Sequence, residues 1–296
     1  MGASYDTANF TVHAPTVESA QQFAETAEQC RKDLAILWLG TMLPDWSEKC
    51  PVKIHVGEDL GAGGKTSFVF ENGEVFDWEM EIQGSHERIL DSVLPHEITH
   101  MILASHFRRP VPRWLDEGMA TSVEHNSEKA NYRQMLRHFL QSNVRRCFSL
   151  NQMVAMKDYP TTDPMPFYAQ GFSLVEYLLE TGRQFDEYEH CRLVQFAQYA
   201  SQTGDWKSAL QEYYDIQNLG ELQLSWIHWV DNGVSALPMV AEVPNVRPPD
   251  GESMVNVPVA LTSAKPSSGK SVYDRRRVDE RPTTIPASFG RDIVVR

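Results

Sequence analysis

Five residues constrain this chain more than any others: His96-Glu97-Ile98-Thr99-His100. They sit in an apolar setting, because Leu90, Leu94, Ile98, Met101 and Ile102 recur at helical spacing and make most of a buried stripe. A buried helix carrying two histidines and a glutamate needs something to compensate those polar groups. Residues four apart on a helix lie about 40° apart around the axis and ~6 Å along it. The two imidazoles therefore reach one metal ion. Glu97 points roughly 100° from His96, beside the position of a metal-bound water. The stretch supplies two nitrogen ligands and a general base. With ten His and 23 Glu in 296 residues, chance produces about 0.03 such pentapeptides per chain.

A zinc site needs a third protein ligand, and two residues compete for that role. His106 lies six positions after His100, but Leu103 stands where a glycine would turn the chain out of the helix. Left on the helix, His106 is about 240° around the axis from His100 and faces away. Glu117 follows the break at residues 108–112, on a second helix that can approach from another direction.

At this point the sequence resembles the gluzincin superfamily, the peptidase MA-like zinc metallopeptidases that include thermolysin and the large zinc aminopeptidases. The resemblance rests on His96-Glu97-x-x-His100, sixteen intervening residues, and Glu117 within Trp114-Leu115-Asp116-Glu117-Gly118-x-Ala120. It covers about 30 residues, and the spacing is two residues shorter than is usual in the aminopeptidases. The resemblance implies one Zn²⁺ held by His96, His100 and Glu117, and Glu97 as general base. It also implies Glu124 as a hydrogen-bond acceptor for a zinc-bound histidine, and Tyr168 as the side chain that stabilises the oxyanion. It implies hydrolysis of peptide bonds, with residues 74–82 as the edge strand that pairs with an extended substrate. The Gly-x-Met-Glu-Asn motif of the true aminopeptidases is missing, which disfavours trimming from an N-terminus. Two alternatives stand beside this reading: a binding or scaffold protein on the same fold, and a metzincin-type peptidase using His106.

Composition narrows the partners. The net charge of −13 disfavours nucleic acid, whose binders present a basic face. Residues 234–296 carry nine Lys or Arg against seven Asp or Glu, and eight of the 17 prolines, so residues 1–233 carry −15. This gives a folded metallopeptidase-like body over 1–233 and a Pro-rich tail over 234–296 that buries too little apolar surface to order itself. A strand from the tail, at 255–261, is the alternative. The acidic body makes a neutral or basic peptide or protein the better substrate. No apolar run approaches the ~20 residues that span a membrane, and no signal peptide is visible. The cysteines, Cys30, Cys50, Cys147 and Cys191, lack C-x-x-C spacing. A Cys30–Cys50 bridge, which would suit an exported protein, competes with four free buried thiols.

The pattern of elements predicts an α+β fold, with strands first and helices afterwards. Strands are expected at 9–14, 52–56, 67–70 and 74–82, with a long helix over 16–40. The Asn72-Gly73 pair marks a hairpin, and 61–64 reads as a flexible loop. Helices are expected near 86–107, 113–126, 128–142, 165–182, 185–201, 205–214 and 219–231. The small mixed sheet and its helix precede a mainly helical zincin subdomain, with the active-site helix between them. Gly64-Lys65-Thr66 resembles the end of a phosphate-binding loop, but Asp59 stands where its first glycine belongs. Trp226 and Trp229 share a helix face and read as core.

Overall fold

The structure, a computed structural model, describes residues 2–141, 146–185, 188–232 and 292–295. The N-terminal part is β1 (Ala3–Asp6), β2 (Phe10–Ala14), α1 (Val17–Leu39), β3 (Cys50–Val56), β4 (Gly63–Glu71) and β5 (Glu74–Gly84). Helical structure follows: a short turn α2 (His86–Arg88), a π-helical segment (Ile89–Val93) and the long α3 (Leu94–Phe107). After it come α4 (Arg113–Ser122), α5 (Asn126–Gln141), α6 (Leu150–Ala155), α7 (Met165–Gly182), α8 (Glu189–Thr203), α9 (Trp206–Tyr214) and α10 (Leu219–Asp231). A last strand, β6 (Asp292–Val295), returns to the sheet. The fold is α+β, as the order of sequence patterns predicts.

The sheet order is β1-β2-β3-β5-β4-β6. β2, β3 and β5 run parallel, while β1 and β4 pair antiparallel with β2 and β5. The β4–β5 connection is tight because Asn72 and Gly73 both take positive φ, 53° and 78°. This is the two-residue geometry that matches strand twist. The edge-strand expectation needs correction. β5 lies between β3 and β4, and the strand next to the boundary is β4. Glycines 63 and 64, expected in a loop, open that strand.

α1 crosses one face of the sheet. Ala20, Phe23, Ala24, Ala27, Arg31, Leu34, Ala35 and Trp38 form its buried stripe. Ile36 and Leu37, apolar residues of the same helix, are 50% and 37% exposed. The 3.6-residue period passes through Ala35 and Trp38 instead. Arg31 fills the turn between, with its guanidinium over the Trp46 ring at 4.4 Å.

α3 packs against α1, β4 and β5 on one side and α4 on the other. It is buried almost all round, from Leu94 to Ala104 with Pro95 the exception. Pro95 falls in the first turn, where no N–H donor is required. This central helix joins the sheet to the helical part. α4 and α7 cross at two glycines. A Cβ on Gly118 would meet the Gly171 carbonyl oxygen at 2.4 Å, and one on Gly171 would meet the Trp114 carbonyl oxygen at 2.6 Å. Trp226 is core and donates to Ser173 Oγ at 3.1 Å, while the half-buried Trp229 donates to Glu180 at 3.0 Å.

Of the two readings of the cysteines, the Cys30–Cys50 bridge does not form: none of the four is in a disulfide. Burial pushes the Cys30 thiol up to about 12. No helix among the described residues is long and apolar enough to cross a membrane. The proposed boundary at 233 and the strand at 255–261 lie outside the described residues. Of the tail, Asp292–Val295 is described, and it is a strand on β4.

The glycine crossing sets the position of α4. Gly118→Ala should therefore cost on the order of 1–3 kcal/mol, because backbone must move to admit the methyl group. Urea denaturation measures this; an unchanged midpoint would contradict the close approach.

Candidate functional site

Three ligand-bearing side chains converge where α3 meets α4. His96, His100 and Glu117 each offer an atom within 4.8 Å of the others, the group of this kind found among the described residues. The helix places the two histidines one turn apart, with ring centroids 4.9 Å apart and planes at 79°. Glu117 enters from α4, whose first turn begins at Pro112 after the αL residue Arg108 ends α3. All three are at least nine-tenths buried.

Each imidazole is held from behind by a carboxylate. His96 Nδ1 lies 2.7 Å from Glu124 Oε1, and His100 Nδ1 lies 3.0 Å from Asp116 Oδ1. These contacts fix the rings and direct both Nε2 atoms inward. His96 Nε2 is 3.6 Å and His100 Nε2 3.9 Å from Glu117 Oε2. Tetrahedral ligands at the usual metal distances stand about 3.3 Å apart, so small side-chain adjustments close the set on one ion. Charge points the same way. Glu97, Asp116, Glu117 and Glu124 are all buried beside two histidines. Even with both rings protonated this group carries a formal −2, which a divalent cation would balance.

The ion-free group shows the strain of that imbalance in its protonation. Burial lowers the His96 pKa, but the carboxylates of Glu117 and Glu124 outweigh burial and hold it up at about 10. Burial raises the Glu117 pKa, but His96, His100 and the Tyr159 hydroxyl together bring it down to about 2.

The remaining partner comes from the sheet. Thr66 Oγ1, fully buried on β4, donates to Glu97 Oε2 at 2.6 Å. β4 can come this close because of Gly64, where a Cβ would meet Glu97 Oε1 at 2.5 Å. The general-base candidate is thus fixed from β4 while the ligands come from α3 and α4.

Glu124 contacts His96, as the resemblance implies, from just beyond α4, which stops at Ser122 and not at the expected 126. Tyr159, which the sequence pattern does not single out, donates its hydroxyl to Glu117 Oε1. Tyr168, near the start of α7, stacks on the Tyr159 ring with centroids 5.8 Å apart. Arg113 lies over the Tyr159 ring, 4.9 Å from its centroid. Tyr159 falls between α6 and α7, where no periodicity singles it out; its place two residues before a Thr-Thr-Asp-Pro run marks only a loop. His106 stays on α3 near its end, packed edge-on to Phe107 at 5.1 Å, and does not join the ligand group. No family model and no curated protein matches this chain.

Thr66→Val should remove the buried donor that Glu97 accepts from while keeping the volume. The expected loss is about 1.5–3 kcal/mol in chemical denaturation, restored by Thr66→Ser. Equal stability of the threonine and valine proteins would contradict the contact.

Proposed function

We propose that this chain is a zinc-dependent hydrolase of peptide bonds, a metallopeptidase of the gluzincin kind, with His96, His100 and Glu117 holding one Zn²⁺. The observation that carries the reading is the convergence of three ligand atoms with a separately anchored carboxylate, Glu97, at one buried point. A zinc ion there supplies Lewis acidity toward a water molecule and a carbonyl oxygen. Glu97 takes the proton of the attacking water and passes it to the leaving amine. Thr66 keeps that carboxylate aimed at the site from the sheet side. Glu124 and Asp116 accept at Nδ1 and so hold each histidine in the tautomer whose Nε2 can face the metal.

The oxyanion role expected of Tyr168 passes in this proposal to Tyr159, whose hydroxyl already lies against a ligand oxygen. Tyr168 supports it from behind by stacking. Removing the hydroxyl in Tyr159→Phe should lower kcat by about 10²–10³, with a smaller loss for Tyr168→Phe. The reverse order would return the role to Tyr168. The acidic surface of the body favours neutral or basic peptides.

Glu97→Gln is the direct test of chemistry. It should abolish hydrolysis of a quenched peptide library and leave zinc bound. Retained turnover would remove Glu97 from the mechanism. Zinc bound by the wild-type chain, with no turnover of any peptide mixture, would favour a binding protein on the same framework. Protonation gives a second check. At pH 7 the zinc-free chain holds His96 protonated, and the metal takes neutral imidazole. Zinc binding should therefore release about one proton, with affinity rising as pH rises toward 10. Calorimetry in buffers of different ionisation enthalpy reads this; a buffer-independent enthalpy would contradict it.

A further inference from the structure

The outer side of β4 is where this site meets the rest of the sequence. β4 pairs with β5 along its whole length on one side. On the other side, Ser67, Phe68, Val69 and Phe70 pair antiparallel with Val295, Val294, Ile293 and Asp292 of β6. The remaining residues of β4, Gly63 to Thr66, have no strand on that outer side among the described residues. They are the residues beside Glu97, through the Thr66 hydroxyl and the close approach at Gly64. β6 runs from Phe70 toward Ser67, so its forward direction leads to the Glu97 end of the strand.

A sheet edge presents unpaired N–H and C=O groups in a row and accepts any chain that can lie extended along it. Here the same edge carries a segment of this chain over one half and passes the general base over the other. We propose that Asp292–Val295 is a resident occupant of the outer edge of β4, competing with extended substrate for the run that leads to Glu97. The competition rests on the peptidase reading; the docking of the segment does not. The occupant identifies the ligand class as an extended peptide with an Ile-Val-Val-like β-branched run, the residue type that favours strand geometry. Because the segment belongs to the same chain, it needs no bulk concentration to fill the edge.

The test uses the full chain. Successive residues of a strand alternate in the side to which their N–H groups point, so Ile293→Pro/Val294→Pro removes a ladder donor whichever residue faces β4. Two readouts separate the claims. A labelled synthetic peptide of residues 289–296 is titrated into chains that also carry Glu97→Gln, and binding is followed by anisotropy. The proline chain should bind it at least tenfold more tightly than the chain with β6 intact. With Glu97 present, hydrolysis of a quenched peptide should show KM falling several-fold in the proline chain and kcat unchanged. The free 289–296 peptide should raise KM again as a competitive inhibitor. Equal peptide binding by both chains overturns the docking edge. Tighter peptide binding with unchanged KM overturns the competition while leaving the peptidase reading in place. Tighter peptide binding with no hydrolysis by either chain sinks the peptidase reading and the competition with it, and leaves β4 as a peptide-binding edge.

Discussion

The fold is organised around a buried excess of negative charge. Four carboxylates and two imidazoles lie at the junction of the sheet and the helices, and each is nine-tenths buried or more. Such groups are tolerated only when each has a partner, because an uncompensated buried charge costs several kcal/mol. The surrounding architecture provides those partners one by one. The α3 backbone sets the histidines a turn apart, α4 brings Asp116 and Glu117, and the residue just past α4 brings Glu124. The sheet brings Thr66 to Glu97. At the centre of this arrangement two Nε2 atoms and one carboxylate oxygen face one another, atoms of the kind that could hold a metal ion.

Two close approaches make the arrangement possible, and both depend on glycine. Gly64 lets β4 lie against Glu97, and Gly118 with Gly171 lets α4 and α7 cross with backbones in contact. The second approach brings Glu117 and the aromatic pair Tyr159 and Tyr168 to the same side of the site, since Glu117 precedes Gly118 and Tyr168 precedes Gly171 by one turn. Helices therefore hold His96, His100 and Glu117, whereas Tyr159 comes from the segment between α6 and α7. This division would suit the proposed hydrolase, whose metal ligands are fixed and whose oxyanion donor comes from a connecting segment.

Much of this was legible in the residues. The periodic runs that become α7 and α10 match their observed bounds, and Asn72-Gly73 marks the hairpin because few other pairs tolerate two positive φ values. His96, His100 and Glu117 were readable because helix geometry alone brings the first two together, and the break after α3 returns the third. The misses share a cause: they depend on what packs against what. The identity of the edge strand follows from β5 pairing with β3 across a long separation, which local alternation in 74–82 does not encode. β1 has four residues and α6 has six, too few for a period to show. Tyr159 and the Thr66 contact to Glu97 arise between distant segments, 42 and 31 residues apart in sequence. The short strand β6 emerges from a tail whose composition argued against order, and it has a partner because β4 offers an edge.

Everything in the functional account depends on a cation filling the point between His96, His100 and Glu117. The most direct measurement is the zinc content of the full chain purified without chelator, alongside Glu117→Ala and His106→Ala chains prepared in the same way. One zinc per wild-type chain, kept when His106 is replaced and lost when Glu117 is replaced, is the predicted result. A wild-type chain that carries no zinc and binds none on titration, or one whose zinc survives Glu117→Ala and leaves with His106→Ala, would contradict it.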